Sequence, residues 1–278
     1  MDSDFTLKDG GLLINRVAGA LLALAVMLAL KYHYSLAGPE GLKWMLAPVA
    51  RLTAWISDTR PVWESGVGYT DFSRGMIIAP ACAGINFMIM AFGLGAFCGL
   101  LRIRRLPPLL AWLGLCLAGA YILTLMVNPI RIALAGILYQ ADFYAGWVTP
   151  ERVHRIAGSA VYLGALGLFF KVLQPIIIFY GARWDGHEQP GNAFTRSWRL
   201  PVGWYLLGAV GVPTANLLFK PPLPAYGEHC LTVIAVSLAL AGAMGLVRRF
   251  RRSSRNGQAD PSESTESGYA AQGADCGR

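Results

Sequence analysis

Long apolar blocks dominate this chain, and they restrict it to folds that a lipid bilayer can accommodate. Of its 278 residues, 55% are hydrophobic and only 14% are charged, which is less charge than soluble domains usually carry. A membrane helix needs about 20 consecutive apolar residues, and six blocks approach that length: Leu12–Leu30, Met76–Leu101, Leu109–Val127, Ile156–Tyr180, Pro201–Phe219 and Cys230–Val247. The sequence therefore predicts an all-α, polytopic integral membrane protein with about six transmembrane helices.

Two shorter apolar blocks do not reach spanning length. Trp44–Ile56 contains Pro48 and Arg51 and is predicted to be interfacial or re-entrant. Ile130–Tyr139 follows Pro129, which predicts a kink after the third span and a continuation along the surface. The first long block is also compatible with a cleaved signal peptide, because charged residues precede its apolar core and small residues follow it.

Basic residues near the ends of the blocks indicate the orientation. With six spans, three clusters fall on one face, which the positive-inside rule assigns to the cytoplasm: Arg102, Arg104 and Arg105; Arg183, Arg196 and Arg199; and Arg248, Arg249, Arg251 and Arg252. The first outer loop, residues 31–75, is an exception, because it holds five Lys and Arg residues. The net charge of +8 thus reflects membrane topology. The bilayer is the expected partner, and nucleic acid is not.

Residues 1–252 are predicted to form one multi-span membrane domain, followed by a disordered cytoplasmic tail at 253–278. The tail is rich in Ser, Gly, Asp and Glu and poor in apolar residues. The cysteines form no CxxC pair and no zinc-type cluster with histidine, and Cys98 and Cys116 are interpreted as small packing residues. The nucleotide-binding patterns GxxxxGK[ST] and GxGxxG are absent, so we expect neither a metal nor an organic cofactor.

Three reactive side chains from distant positions are predicted to lie at one membrane surface. Cys82 begins a stretch of 20 residues that ends at Leu101, before a basic run, so it falls at the outer end of the second span. The third span runs outward and ends before Arg131, and the fourth begins just after His154. The alternating direction of the spans therefore brings Cys82, Arg131 and His154 to the same outer depth.

These three side chains form a coherent catalytic set. A thiolate attacks a carbonyl to give a thioester, a His accepts and returns protons, and an Arg stabilises the oxyanion or orients the substrate. Each residue also has an ordinary explanation: packing for Cys82, an interfacial anchor or lipid-phosphate contact for Arg131, and one more polar residue of a polar segment for His154. For each residue taken alone, the ordinary explanation is favoured over the catalytic one. The shared membrane depth and complementary chemistry of the three residues together bring the catalytic explanation closer to the ordinary one.

The order of the motifs carries a family resemblance. Pro80-Ala81-Cys82-Ala83-Gly84-Ile85, then Asn128-x-x-Arg131, then His154, resembles the motif series of the exosortase/archaeosortase family over roughly residues 67–170. Ala83 departs from that series, because many members have Ser there. The resemblance implies a membrane cysteine protease or transpeptidase of the prokaryotic cytoplasmic membrane. It also implies Cys82 as nucleophile, Arg131 as ligand of the transition state or substrate, and His154 as acid and base, all at the outer face.

The resemblance also implies a class of partner. Family substrates are membrane-anchored proteins whose C-terminal signal joins a short motif such as Pro-Glu-Pro, an apolar helix and a basic tail. Cleavage near the motif would give a thioester that passes to an amine or to water, and the acceptor stays open. Arg74, Arg152 and Arg155 are candidates for contacting an acidic motif residue, with interfacial anchoring as the alternative.

Two other functional classes stay open. A small-solute transporter would typically have inverted repeats, paired broken helices or charges at mid-bilayer, and the sequence has none clearly. A non-catalytic assembly or lipid-binding protein would use Cys82 only for packing. Access of the Cys82 thiol to reagents from outside the membrane discriminates between that class and an enzyme.

Overall fold

The computed structural model describes residues 3–141, 144–185, 197, 199–217 and 226–256. Two compact units are distinguished along the chain, residues 1–237 and 238–278. Within the described part, the second unit contains the C-terminal portion of the last helix. The predicted tail at 253–278 lies outside the described residues except for its first four, which are helical.

Helices make up most of the fold, as the apolar blocks predict. In chain order they are α1 (Ser3–Leu36), α2 (Lys43–Ser57), α3 (Ile85–Arg102), α4 (Leu106–Tyr139), α5 (Pro150–Asp185), α6 (Arg199–Leu206), α7 (Val212–Asn216) and α8 (Tyr226–Asn256). Five described stretches are long and apolar enough to cross a membrane: Gly11–Leu36, Pro80–Arg102, Leu106–Tyr139, Pro150–Trp184 and Tyr226–Val247. The predicted all-α, polytopic membrane class is confirmed.

The fifth predicted span, Pro201–Phe219, is helical as far as it is described but is not one of these five. It consists of α6, a π-helical turn at Leu207–Gly211 and α7. Pro213 has no backbone N–H to continue the α-helical ladder, and the wider turn just before it accommodates that loss. Trp204 holds the segment on α3 by donating its indole N–H to the carbonyl of Met90 (2.9 Å). The last two residues of the predicted span lie outside the described part.

A small antiparallel sheet stands where the second span is predicted to begin. Its strands are β1 (Val62–Glu64), β2 (Gly68–Asp71) and β3 (Met76–Ile78), in the order β1-β2-β3. The predicted start at Met76 is therefore wrong, because α3 begins only at Ile85. The apolar strand β3 looks like the start of a membrane helix in sequence, but Pro80 and the left-handed Gly84 interrupt the chain before α3.

Asp71 fixes the turn that connects β2 to β3. Its carboxylate accepts hydrogen bonds from the hydroxyl of Ser73 (2.6 Å) and from the backbone N–H groups of Arg60 (2.9 Å), Ser73 (2.9 Å) and Arg74 (3.3 Å). These bonds, that of the Ser73 hydroxyl first, hold the pKa of Asp71 below its ordinary value. The strand that leads to Cys82 is thus anchored at its start.

Helix α4 continues through Pro129, where the sequence predicts a kink and a separate surface segment. Its 34 residues correspond to about 50 Å of helix rise, more than the roughly 30 Å of a bilayer core. Proline removes one backbone hydrogen bond, and in a helix packed on both α3 and α5 that loss does not end the helix. The block Ile130–Tyr139 therefore extends the same helix instead of turning along the surface.

Helices α1, α3 and α4 form a packed group, and hydrogen bonds near its two ends show the relative direction of α1 and α3. Near one end, Asn15 donates to the carbonyl of Arg104 (3.2 Å); near the other, Lys31 donates to the Asn86 side chain (3.0 Å). Helix α1 therefore runs antiparallel to α3. Trp112 of α4 donates its indole N–H to the carbonyl of Gly95 on α3 (3.0 Å), a close approach that a small residue permits.

The shorter block predicted to be interfacial or re-entrant forms α2, which has 15 residues. Its buried side chains are Met45, Leu46, Val49, Ala50 and Thr53, and it packs against α4. At its start Trp44 stacks on Tyr121 of α4, with ring centroids 5.9 Å apart. The segment is therefore part of the helical core and not an isolated surface helix.

Candidate active site

Cys82 lies in a short 3-10 turn, Pro80–Cys82, between β3 and α3. Its backbone N–H donates to the carbonyl of Ala79 (2.8 Å), and its side chain is partly exposed. The sequence places Cys82 near the start of the second span. In the structure α3 begins at Ile85, three residues after Cys82, so the cysteine lies outside the first turn of that helix. The turn presents the thiol at the end of the helix group where α3 and α5 begin and α4 ends.

Gly84 allows this turn to sit directly on α4. Its φ is +77°, in the left-handed region, and a Cβ there would come within 2.9 Å of Thr124 and 3.0 Å of Asn128. Both the backbone conformation and the space therefore require glycine. The close approach lets Asn128 donate its amide N–H to the carbonyl of Cys82 (2.5 Å). Asn128 is fully buried, so this bond ties the cysteine turn to the middle of the site.

A polar network extends from Asn128 to the other predicted residues. Its Oδ1 accepts from the hydroxyl of Tyr162 (2.7 Å) and from Nη1 of Arg131 (3.4 Å). The same Nη1 also donates to the Tyr162 hydroxyl (3.3 Å), and Nη2 of Arg131 lies 3.2 Å from Nε2 of His154. Because guanidinium has no acceptor, Nε2 accepts this bond, which assigns a neutral ring with its proton on Nδ1. Four residues of α4 and α5 thus form one connected group.

Helical spacing explains why these side chains meet. Asn128 and Arg131 are three residues apart on α4, and His154 and Tyr162 are eight residues, about two turns, apart on α5. Gly158, midway between them, makes room for Arg131: a Cβ there would lie 3.1 Å from Nε of that residue. One face of α5 therefore receives the arginine of α4.

The predicted site residues are brought together to different degrees. Arg131 and His154 are in direct contact, whereas Cys82 joins them through its main chain and Asn128. Among the described residues, no hydrogen bond connects the Cys82 thiol to His154. The thiol lies within electrostatic range of the hydroxyls of Tyr162 and Tyr34. It therefore sits beside the polar network, and not inside it.

Asn128 stands in the motif series but has no role in the predicted site, and Tyr162 is not among the residues singled out from the sequence. Asn128 lies inside α4. Its signal was the presence of an amide in an otherwise apolar block, where polar groups are costly and usually bonded to one another. Tyr162 had a weaker signal, its position eight residues after His154 on the same helix face.

Two of the arginines predicted to contact an acidic substrate residue already have a carboxylate partner. Arg152 and Arg155 both pair with Glu228 of α8, the latter with 3.2 Å between Nη2 and Oε2. Arg152 also donates to the carbonyl of Trp147 (2.9 Å) and lies over its ring. These residues connect the starts of α5 and α8. The side chain of Arg74 is exposed.

Metal ligands do not cluster in the part of the chain that the structure describes, where no group of three or more His, Cys, Asp or Glu side chains is suitably placed for an ion. The chemical capacity of the site lies in its thiol, imidazole, guanidinium and phenol groups. That set can perform nucleophilic attack, proton transfer and stabilisation of an oxyanion.

Comparison with known proteins adds a family assignment. The family model described as transmembrane exosortase matches residues 10–171, which is more than half of the chain and includes Cys82, Asn128, Arg131, His154 and Tyr162. No curated protein and no solved structure matches the chain. The matched region holds α1 to α4, the sheet and the first part of α5, and on that basis this multi-pass membrane protein belongs to the transmembrane exosortase family.

Proposed function

We propose that this exosortase is a membrane-embedded cysteine peptidase or transpeptidase that cleaves C-terminal sorting signals of exported proteins. Cys82 is the nucleophile, Arg131 the ligand of the oxyanion and His154 the acid and base. The observation that carries the proposal is the connection of the Cys82 turn, through Asn128, to the Arg131–His154 pair. Family membership supports the same reaction class.

The first half of the reaction forms a thioester. The proton of the Cys82 thiol passes to Nε2 of His154, and the sulfur attacks the carbonyl carbon of the scissile peptide bond. In the free protein Nε2 faces the Arg131 guanidinium. When that guanidinium turns to the substrate carbonyl, Nε2 becomes available to the thiol. The tetrahedral oxyanion then receives N–H donors from Arg131.

The second half releases both products. Collapse of the tetrahedral intermediate breaks the C–N bond, and the leaving amine takes the proton held by His154. An acceptor amine or water then attacks the thioester and gives a proton to His154. Return of that proton to the departing sulfur restores the Cys82 thiol. No step requires a cofactor, an oxidant or a reductant.

Membrane confinement accounts for the choice of substrate. A protein anchored by its own C-terminal helix moves in the same bilayer, so a cleavage motif at the membrane surface meets Cys82 at a high effective concentration. The end of the bundle opposite the site carries Arg102, Arg104, Arg105 and Arg183. The positive-inside rule favours a cytoplasmic location for that end, which supports a site at the outer face of the cytoplasmic membrane.

A processing assay in membranes tests the proposal. The probe is a tagged soluble protein fused to Pro-Glu-Pro, an apolar helix and a basic tail. We expect wild-type protein to shorten the probe and Cys82→Ala to leave it intact while accumulating in the membrane. Cys230→Ala is the matched control, because Cys230 is also free and partly exposed. Processing by Cys82→Ala at the wild-type rate would reject Cys82 as the nucleophile, and an intact probe with the wild-type protein would favour a non-catalytic protein or a transporter.

A further inference from the structure

We infer that Tyr162 is a positioning residue for the proposed reaction, and that its hydroxyl holds Arg131 and Asn128 in the arrangement that serves Cys82. The inference rests on the proposed function and deepens it. Tyr162 touches the network at more points than His154, the predicted catalytic residue of α5. Its hydroxyl bonds to Asn128 and Arg131, and its ring contacts Phe87 and the Arg131 guanidinium.

The hydroxyl determines which way the Asn128 amide faces. Oδ1 must meet two donors, the Tyr162 O–H at 2.7 Å and Nη1 of Arg131 at 3.4 Å, while Nδ2 must meet the carbonyl of Cys82 at 2.5 Å. Rotating the amide by half a turn would set its N–H groups against the guanidinium and its oxygen against a carbonyl. The shorter of the two bonds to Oδ1 comes from Tyr162, so its hydroxyl is the main restraint on this orientation.

The ring of Tyr162 has a separate role in packing. It stacks on Phe87 of α3, with centroids 4.4 Å apart and planes 9° from parallel, and Arg131 lies over its face with 5.1 Å from Cζ to the centroid. These contacts join α3, α4 and α5 at the site and need no hydroxyl. Tyr162→Phe therefore retains the packing and removes only the hydrogen bonds.

Two consequences follow from loss of the hydroxyl. Arg131 loses one acceptor near its Nη1, and Asn128 keeps only the longer 3.4 Å bond at Oδ1. Both the guanidinium and the cysteine turn then gain freedom, and the oxyanion donor is less often in place. Because the restrained groups act in the transition state, kcat should fall and KM should change little.

Steady-state kinetics on the fusion probe, in detergent-solubilised full-length protein, test the inference. We expect Tyr162→Phe to lower kcat by about 10- to 100-fold, the effect of hydrogen bonds to charged groups, with KM within about 2-fold of wild type by the same argument. Tyr226→Phe is the matched control: it also removes a hydroxyl that hydrogen-bonds a side chain of another helix, here the Thr214 hydroxyl of α7 (2.6 Å). We expect it to retain kcat.

A double-mutant comparison separates positioning from general weakening. An Arg131→Lys background keeps a cation but lacks the planar guanidinium with its several N–H donors. In that background Tyr162→Phe should reduce kcat much less than it does in wild type. A wild-type kcat for Tyr162→Phe, an equal loss in Tyr226→Phe, or additive losses in the Lys background would each overturn the inference. If processing requires Cys82 but not the Tyr162 hydroxyl, this inference alone fails; if it does not require Cys82, the proposed function fails.

Discussion

Cys82 lies in the turn before α3 and Cys116 lies within α4, and the surroundings of the two thiols differ completely. Cys82 is partly exposed, its main chain is bonded to Asn128, and its thiol lies within electrostatic range of the Tyr162 hydroxyl. Cys116 is buried on α4, where Gly95 of α3 approaches so closely that a Cβ would lie 2.7 Å from its sulfur. Neighbouring side chains, and not the residue type, thus distinguish a candidate nucleophile from a packing residue.

The largest expected effect in this comparison concerns the guanidinium of the Cys82 site. Arg131→Ala removes the proposed oxyanion donor, and we expect kcat to fall by about 10²- to 10³-fold. Arg102 lines a small cavity with Cys98 at the opposite end, so Arg102→Ala serves as the matched control. Steady-state kinetics on the fusion probe measure both. An equal loss in the two variants would show that general charge removal, not position at the site, determines activity.

Reactivity toward a membrane-impermeant maleimide gives a second test of the comparison. In native membranes opened to the reagent, we expect modification of Cys82 and protection of Cys98 and Cys116, because the latter two are almost fully buried. Peptide mass spectrometry before and after denaturation quantifies each site. If Cys116 were modified as fast as Cys82 in the folded protein, the two cysteines would not differ in accessibility and the comparison would fail.

The cysteine turn should be sensitive to the amide that holds it. Asn128→Ala leaves the carbonyl of Cys82 without its donor and opens space under Gly84. We expect a loss of about 1–3 kcal/mol in unfolding free energy, the cost of a buried unsatisfied polar group, together with a lower kcat. Thermal unfolding and kinetics on one preparation measure the two. Thr124→Val, on the same face of α4, leaves the Asn128–Cys82 bond in place. It is therefore the control for a loss of stability that does not involve that bond.

The smallest effect on activity is expected at the buried cysteine. Gly95→Ala forces a Cβ against the Cys116 sulfur, and overpacking of this kind costs about 1–3 kcal/mol. Activity per folded molecule should stay at the wild-type level, and Gly95→Ala with Cys116→Ala should recover stability. Thermal unfolding checks this pair. A loss of kcat without a loss of stability would link Cys116 to the reaction.

The helical class was predictable because length and hydropathy alone decide which segments can cross a bilayer. The sheet before α3 was not, since Met76-Ile77-Ile78 is apolar in a strand and in a span alike. Pro129 predicted an interruption that α4 does not have, because packing on neighbouring helices overrides a local helix breaker. Local sequence does not show whether the helix-breaking tendency or the packing is the stronger effect.

The gathering of the three predicted residues at one end of the helix group was predictable, but their contacts were not. Motif order and alternating spans brought Cys82, Arg131 and His154 to one end of the bundle. Helices α4 and α5 are apolar on most sides, so no polar stripe indicated how each is rotated about its axis. The Arg131–His154 contact and the role of Tyr162 depend on that rotation, and only the structure provides it.

Capture of the acyl-enzyme tests the central claim most directly. Wild-type protein is mixed with the fusion probe without added amine, quenched in acid and digested, and the Cys82 peptide is examined by mass spectrometry. We predict an adduct on Cys82 of the peptide that precedes the cleaved bond, joined through its new C-terminal carbonyl, released by neutral hydroxylamine as a thioester is, and absent from Cys82→Ala. Cleavage of the probe with Cys82 unmodified at every quench time, or an adduct on another residue, would contradict the proposed role of Cys82.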